Sequence, residues 1–103
     1  MDKALQLLSL AMRAGKIASG EFKTEESVKA SKARLVVIAS DASDNTKKSF
    51  NDMGAYYHVP VYIYGTKESL GTHTGRGYRA SLAVLDAGFG KSIRKLIDTG
   101  INQ

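Results

Sequence analysis

The chain contains no cysteine and no tryptophan, and only one proline and two histidines among its 103 residues. Without cysteine there is no disulfide framework, no thiolate metal site and no cysteine nucleophile, which fits a reducing compartment. The two histidines, His58 and His73, do not stand at metal-ligand spacing with each other or with a carboxylate. We therefore expect no metal, no cofactor and no catalytic residue.

Long apolar runs are also missing. The longest run, residues 35–39, is far too short to cross a bilayer. Near the N-terminus the apolar residues are interrupted by Lys3, Gln6 and Arg13, whereas a signal peptide has a continuous apolar block. These features predict a cytoplasmic protein with no membrane partner.

Sequence motifs of common enzyme classes are absent as well. There is no Walker-type Gly-Lys-Ser/Thr and no G-x-S-x-G elbow. Gly75-Arg76-Gly77 begins a dinucleotide-binding pattern, but Ala80 stands where its third glycine is required. Asp41, at the end of a predicted strand, is interpreted as a cap of the next helix and not as a catalytic carboxylate. We expect no small-molecule substrate, and an enzyme is an alternative that no motif supports.

The charge balance is basic, with 15 Lys and Arg against 10 Asp and Glu, a net charge of +5 and a pI near 9.6. Both halves of the chain share the excess and there is no polybasic tail, so the fold has to assemble any basic patch. Nucleic acid is the partner that this balance favours. The alternative is a solvated surface with a mild basic bias.

The alternation of patterns predicts the fold. A length of 103 residues suits a single domain, residues 1–103. Apolar spacing and capping residues predict helices over residues 2–14, 20–32, 44–57, 66–70 and 88–99, with Gly71 ending the fourth. Strands are predicted over residues 16–19, 34–40, 61–64 and 80–85. This order predicts an α/β fold, a three-layer α/β/α sandwich with a mixed four-stranded sheet. The loops after strands one, two and four contain or approach glycine or capping residues, so we expect several of them to share one rim.

The first candidate site is the turn into the second helix. A helix that opens on glycine directly after a strand presents unpaired N–H groups at the positive end of its dipole. Gly20 allows close backbone approach and Lys23 reaches phosphate or base edges. The candidate RNA-binding residues here are Lys16, Gly20, Glu21, Phe22 and Lys23. The alternative is a plain turn in which Ser19 caps the helix.

The second candidate site is the loop before the last strand. It combines arginine for phosphate or guanine, tyrosine for stacking on an unpaired base and glycine for close approach. The candidate residues are Arg76, Gly77, Tyr78, Arg79 and Ala80. The alternative is an ordinary solvated loop.

Several segments together carry a family resemblance: residues 7–16 (LLSLAMRAGK), Ser19-Gly20, residues 33–39 with 41–43, residues 59–61, 69–71 and 80–84. With these segments the chain resembles the ribosomal protein L7Ae/L30e superfamily, and in particular its short bacterial members, over nearly its whole length. The resemblance implies an α/β/α sandwich that binds structured RNA, in many relatives a kink-turn, without catalysis. It further implies that the first and last strands lie side by side, so that the two candidate sites form one surface.

In the relatives, the second helix opens on a Gly-x-Asn-Glu pattern with a lysine three residues beyond the glutamate. Here Gly20 matches, but Phe22, Lys23 and Glu26 stand in place of the usual Asn, Glu and Lys. Phe22 cannot form the base-edge hydrogen bonds that read sheared guanine–adenine pairs. We expect a monomer whose partner is structured RNA, ribosomal RNA or the ribosome. A ribosome-associated protein–protein interaction factor without base-specific RNA readout is the alternative.

Overall fold

The computed structural model describes residues 2–75 and 77–100. Helices and strands alternate through this part of the chain. Their order is α1 (Lys3–Arg13), β1 (Ile17–Ser19), α2 (Glu21–Lys29), β2 (Leu35–Ile38), α3 (Asp44–Tyr57), β3 (Val61–Ile63), α4 (Lys67–His73), β4 (Ser81–Val84) and α5 (Ala87–Thr99).

The four strands form one mixed sheet in the order β1-β4-β2-β3. β4 is antiparallel to both β1 and β2, and β2 is parallel to β3. In the register, Ser19 lies opposite Leu82, and Ile38 lies between Ser81 and Ile63. The ends of β1, β2 and β3 and the start of β4 therefore lie at one end of the sheet. We call the loops at this end, residues 19–20, 40–43, 64–66 and 77–80, the rim.

Helices cover both faces of this sheet. Every residue of β2 and β4 is buried, so neither face of the two central strands reaches solvent. α1 packs against α4 and α5, and α2 packs against α3. The predicted three-layer α/β/α sandwich is confirmed. Within residues 2–75 and 77–100, no helix has the length and apolar content needed to cross a membrane.

Helix α1 forms as its apolar spacing predicts. Its buried face consists of Ala4, Leu5, Leu8 and Ala11. The Asp2 side chain caps the helix, since its Oδ1 accepts a hydrogen bond of 2.9 Å from the backbone N–H of Leu5. Burial of one helical stripe against the core stabilises a helix of this length more than its intrinsic propensity does.

The prediction that Gly71 ends the fourth helix is wrong, because α4 continues to His73. Gly71 is buried inside the helix, and a Cβ built on it would lie 2.5 Å from the carbonyl oxygen of Gly77 and 2.8 Å from Cα of Tyr78. The glycine therefore lets a loop cross the helix at close range. Sequence reading gave it the more common role of a helix stop.

The two large apolar residues of α2, Phe22 and Val28, do not form one buried stripe. Phe22 is 76% exposed, and the buried residues of the helix are Thr24, Ser27 and Val28. The two hydroxyls can be buried because each donates to a backbone carbonyl one turn earlier, Thr24 to Gly20 at 2.6 Å and Ser27 to Thr24 at 2.9 Å. The helix ends at Lys29, before the predicted boundary at residue 32.

Asp41 caps a helix, but not the one that follows it. Ser43 caps α3, accepting from the N–H of Thr46 at 3.1 Å. The Oδ1 of Asp41 instead accepts from the N–H of Lys67 at 2.8 Å, in the first turn of α4. The parallel pairing of β2 with β3 brings the ends of both strands to the rim, so a residue after β2 reaches the helix after β3.

Of the loops after strands one, two and four, the first two lie at the rim and the last does not. β4 runs antiparallel to its two neighbours, so Asp86, which caps α5, lies at the opposite end of the sheet. The loop before β4 lies at the rim instead. Strand direction decides which loops meet, and the alternation of elements does not reveal it.

Truncation of Ile38 to alanine is expected to destabilise the protein by about 2–5 kcal/mol, because its side chain is fully buried in a central strand and would leave a cavity. Chemical denaturation measures this change in the free energy of unfolding. The matched control is Ile63→Ala on edge strand β3, where the side chain is 43% exposed and the loss should be much smaller. Equal losses at the two positions would contradict the assignment of β2 to the core.

Candidate nucleic-acid interface

The turn from β1 into α2 needs glycine at position 20. Gly20 has φ 100° and ψ 158°, a backbone region that L side chains rarely adopt. It is the N-cap of α2, and its N–H donates to the carbonyl of Ser81 at 3.0 Å, which ties the turn to β4.

Ser19 does not cap α2, although the alternative of a plain turn requires that cap. Within residues 2–75 and 77–100, no side chain caps the N-terminus of this helix. The hydroxyl oxygen of Ser19 instead accepts from Nε of Arg79 at 3.0 Å. The first turn of α2 therefore keeps N–H groups without a side-chain partner, at the positive end of its dipole.

Two other helices begin at the same rim, and side chains cap both. Ser43 caps α3, and Thr66 and Ser69 form a reciprocal capping box on α4, to which Asp41 adds a further acceptor. Among these three N-termini, that of α2 is the one with no cap from a described side chain. The first-turn N–H groups of α2 are therefore the ones at the rim that can best bind an anion or another acceptor-rich partner.

The loop before β4 is fixed against both α4 and the β1–α2 turn. The N–H of Arg79 donates to the carbonyl of Lys67 at 2.9 Å, and its Nη1 donates to the carbonyl of Tyr78 at 2.9 Å. A Cβ built on Gly20 would lie 3.6 Å from Nε of Arg79. The two predicted candidate sites therefore adjoin each other, because β1 pairs with β4 as the resemblance implied.

Two exposed aromatic side chains flank this contact. Phe22, in the first turn of α2, is 76% exposed, and Tyr78, next to Arg79, is 66% exposed. Glu21 and Lys23 are exposed beside them. Large apolar side chains grouped at a surface typically mark a contact site, and aromatic rings with nearby cations are suited to stacking on unpaired bases.

The remaining predicted residues are placed differently. Lys16 lies at the other end of β1, where its carbonyl accepts from the N–H of Leu85 at 2.8 Å. Four residues of strand at roughly 3.3 Å each separate it from Gly20 by about 13 Å. Ala80 is half-buried, and its carbonyl accepts from Ala39, which fixes the loop. Gly77 is exposed. Arg76 lies outside the described residues.

Sequence reading missed three residues that build this site. Ser19 holds Arg79, Gly71 admits the loop beside α4, and Asp41 caps α4 at the rim. Their partners lie 60, 6 and 26 residues away, so no local pattern could reveal them. The glycine at 71 was a visible signal, but a helix stop explained it equally well.

The chemistry available at this rim is that of binding. Backbone N–H groups of α2, the guanidinium of Arg79 and the ammonium of Lys23 are donors suited to phosphate oxygens. Within residues 2–75 and 77–100, no cluster of three or more His, Asp or Glu residues could hold a metal ion.

Comparison with known proteins places the chain in a family. Residues 2–93 match the model of the ribosomal protein L7Ae/L30e/S12e/Gadd45 family, and the chain belongs to it. RNA-binding protein YlxQ of Enterococcus faecium is 38% identical over 97 residues, covering 94% of this chain and 93% of that protein. Large ribosomal subunit protein eL8 of Thermoplasma volcanium is 30% identical over 111 residues, covering 99% of this chain and 85% of that protein.

Solved structures share the fold. A protein of unknown function from Bacillus halodurans has a TM-score of 0.91 and 37% identity, and the match covers 95% of this chain and 99% of that one. The Giardia lamblia 15.5kD RNA binding protein has a TM-score of 0.78 at 21% identity, with 94% of this chain and 83% of that chain covered. At 21% identity, the match to the Giardia protein shows a common fold and nothing about function.

Substitution of Gly71 by alanine is expected to displace the loop of residues 77–79 and to cost about 1–3 kcal/mol, because the new methyl group meets the backbone of Gly77. Thermal unfolding measures the cost, and faster hydrogen exchange at the Arg79 amide reports the displacement. The control is Gly77→Ala, since a Cβ there has no atom within 4 Å. An unchanged Arg79 amide in Gly71→Ala would contradict the close packing.

Proposed function

We propose that this chain is a non-enzymatic RNA-binding protein that binds structured RNA, of kink-turn or ribosomal type, through the rim. Residues 1–103 act as one RNA-binding domain, and the protein works as a monomer with ribosomal RNA in the cytoplasm. The observation that carries the proposal is the uncapped N-terminus of α2, which lies beside Arg79 and is flanked by the exposed rings of Phe22 and Tyr78.

The relatives support this class of function. The similar bacterial proteins from Enterococcus faecium and Bacillus subtilis are both named RNA-binding protein YlxQ, each at 38% identity. The archaeal relatives are large ribosomal subunit proteins eL8 and eL30, at 30% and 31% identity. An RNA-binding role also explains why the rim offers hydrogen-bond donors beside exposed aromatic rings.

Each group at the rim has a proposed part in binding. Gly20 leaves room for the RNA backbone to approach the first-turn N–H groups of α2, which bind acceptor atoms. Arg79 and Lys23 bind phosphates by charge-assisted hydrogen bonds. Phe22 and Tyr78 stack on bases that the RNA structure leaves unpaired.

The family pattern at the start of α2 bears on specificity. Phe22 replaces an amide that would read base edges, and it offers a ring face, which any base can stack on. Lys23 replaces a carboxylate and favours phosphate contact. We propose that this chain depends on stacking and charge more than on base-edge hydrogen bonds, and that it tolerates more RNA sequences than a strict kink-turn reader does.

Replacement of Arg79 by alanine is expected to weaken binding to RNAs of different sequence. It should also lower the slope of the logarithm of the binding constant against the logarithm of salt concentration by about one, because one phosphate contact is lost. Titration of labelled ribosomal RNA fragments at several salt concentrations measures both quantities. Arg34→Ala is the control, because Arg34 is exposed at the opposite end of the sheet, where its N–H donates to Val84. Affinity that does not change with salt would favour the protein–protein interaction factor instead.

Replacement of Tyr78 by alanine is expected to cost about 1–3 kcal/mol of binding free energy for RNAs that present an unpaired base, because one stacking contact is lost. A fully paired duplex should be bound equally by variant and parent. Tyr56→Ala is the control, since its ring is 77% exposed on α3, away from the rim. Loss of duplex binding in the Tyr78 variant would contradict a stacking role.

A further inference from the structure

The excess positive charge of this protein is concentrated in one helical layer. α1 has two cationic residues and no acidic one, and α5 has three cationic residues against Asp98. These two helices therefore carry a net charge of four out of the chain's five. We call their cationic residues the α1/α5 face: Lys3, Arg13, Lys91, Arg94 and Lys95.

The opposite layer holds none of this excess. α2 has two lysines against three glutamates, and α3 has two lysines against two aspartates. Within the described part of the chain, both side-chain ion pairs lie in this layer, Lys29 with Glu25 and Lys48 with Asp52. The helices with an excess of cations therefore lie in the layer opposite α2, whose N-terminus forms part of the rim site.

The cations of the α1/α5 face are exposed and are not neutralised. All five side chains are solvent-exposed, and none forms an ion pair with another described residue. The single carboxylate of α5 is engaged elsewhere, because Tyr62 donates its hydroxyl hydrogen to Asp98 at 2.8 Å. The guanidinium of Arg94 lies 5.8 Å from the centre of the Tyr62 ring, so a cation–π contact holds it.

Helix packing places these charges in one layer of the sandwich, on two neighbouring helices. α1 and α5 contact each other, and Lys3 and Arg13 line a groove between them together with Leu10 and Leu96. On α5, Lys91 is three residues from Arg94 and four from Lys95, a spacing that puts side chains about 5–6 Å apart on one helix face. A row of point charges on two neighbouring helices can follow a row of phosphates.

We propose that the α1/α5 face is a second RNA-contact surface, which binds the phosphate backbone of a double-helical segment while the rim binds a segment with unpaired bases. The inference rests on the proposed RNA-binding function. Lysine and arginine contacts to phosphate are independent of sequence and release counterions, so this surface supplies affinity and orientation while the rim supplies selectivity.

The composition of the face favours a polyanion over a protein partner. Protein interfaces are usually anchored by buried aromatic and apolar side chains. Among the described residues of α1 and α5, Leu10 is the one large apolar side chain more than a third exposed, at 46%. The exposed rings of Phe22 and Tyr78 lie at the rim instead.

The test compares two charge-neutralised variants in binding a fully paired RNA duplex. The first carries K3Q, R13Q, K91Q and K95Q, and leaves Arg94 on Tyr62. The matched control carries K29Q, K32Q, K47Q and K48Q, and removes the same charge from α2, α3 and the turn after α2. We expect the first variant to bind the duplex about tenfold more weakly. The slope of the logarithm of its binding constant against the logarithm of salt concentration should fall by about one for each lost phosphate contact. The control should bind nearly as the parent does.

Circular dichroism and thermal unfolding establish that both variants are folded. Parent-like duplex binding by the first variant, or an equal loss in the control, would overturn the proposal. If the first variant binds duplex normally but no longer sediments with ribosomes, an acidic protein is the partner and the proposal is equally overturned.

Failure of this inference can be told from failure of the proposed function. If Tyr78→Ala and Arg79→Ala weaken binding to looped RNA while the first variant behaves as the parent, the rim function stands and the second surface does not. If the rim variants change nothing and the first variant loses the duplex, the rim is not the site and the α1/α5 face alone contacts RNA.

Discussion

The antiparallel pairing of β1 with β4 is the contact on which the rest of the candidate site depends. β1 has only three residues, yet its pairing joins Ser19 to Leu82 and lets Gly20 donate to Ser81. It brings the start of α2 beside a loop 60 residues away in sequence, where Arg79 bonds to Ser19. Without this pairing, a polar helix and a glycine-containing loop would be two unrelated surface features.

The three helices that begin at the rim differ in how their N-termini are capped. Three helices begin there with their dipoles aligned, but side chains satisfy the first turns of α3 and α4. Ser19 could cap α2 by its residue type, but its hydroxyl binds Arg79 instead. This hydrogen bond holds the guanidinium beside the first turn of α2, whose N–H groups have no cap from a described side chain. The positive end of the α2 dipole and the guanidinium of Arg79 therefore lie side by side, where both can bind an acceptor-rich ligand.

Local patterns were sufficient for most of the secondary structure. The apolar stripe of α1 and the continuous apolar run of β2 have a single sensible interpretation, and both are confirmed. Some residues have two plausible roles, and the commoner role is not always the one that the structure shows. Gly71 packs against a loop and does not stop its helix, and Phe22 faces solvent while Thr24 and Ser27 are buried. These outcomes depend on neighbours far away in sequence, which no helical or strand period encodes.

The sequence by itself determined the class of fold, the order of its elements, the net charge and the two segments proposed as the binding site, because periodicity, capping and composition are local properties. Only the tertiary structure decided that these segments meet, that Lys16 lies at the other end of β1, and that the two basic helices α1 and α5 pack in one layer. The physical reason is that strand direction decides at which end of the sheet a residue lies, and helix packing decides on which face of the sheet it lies. That assignment is fixed by long-range pairing and burial, not by the residues on either side.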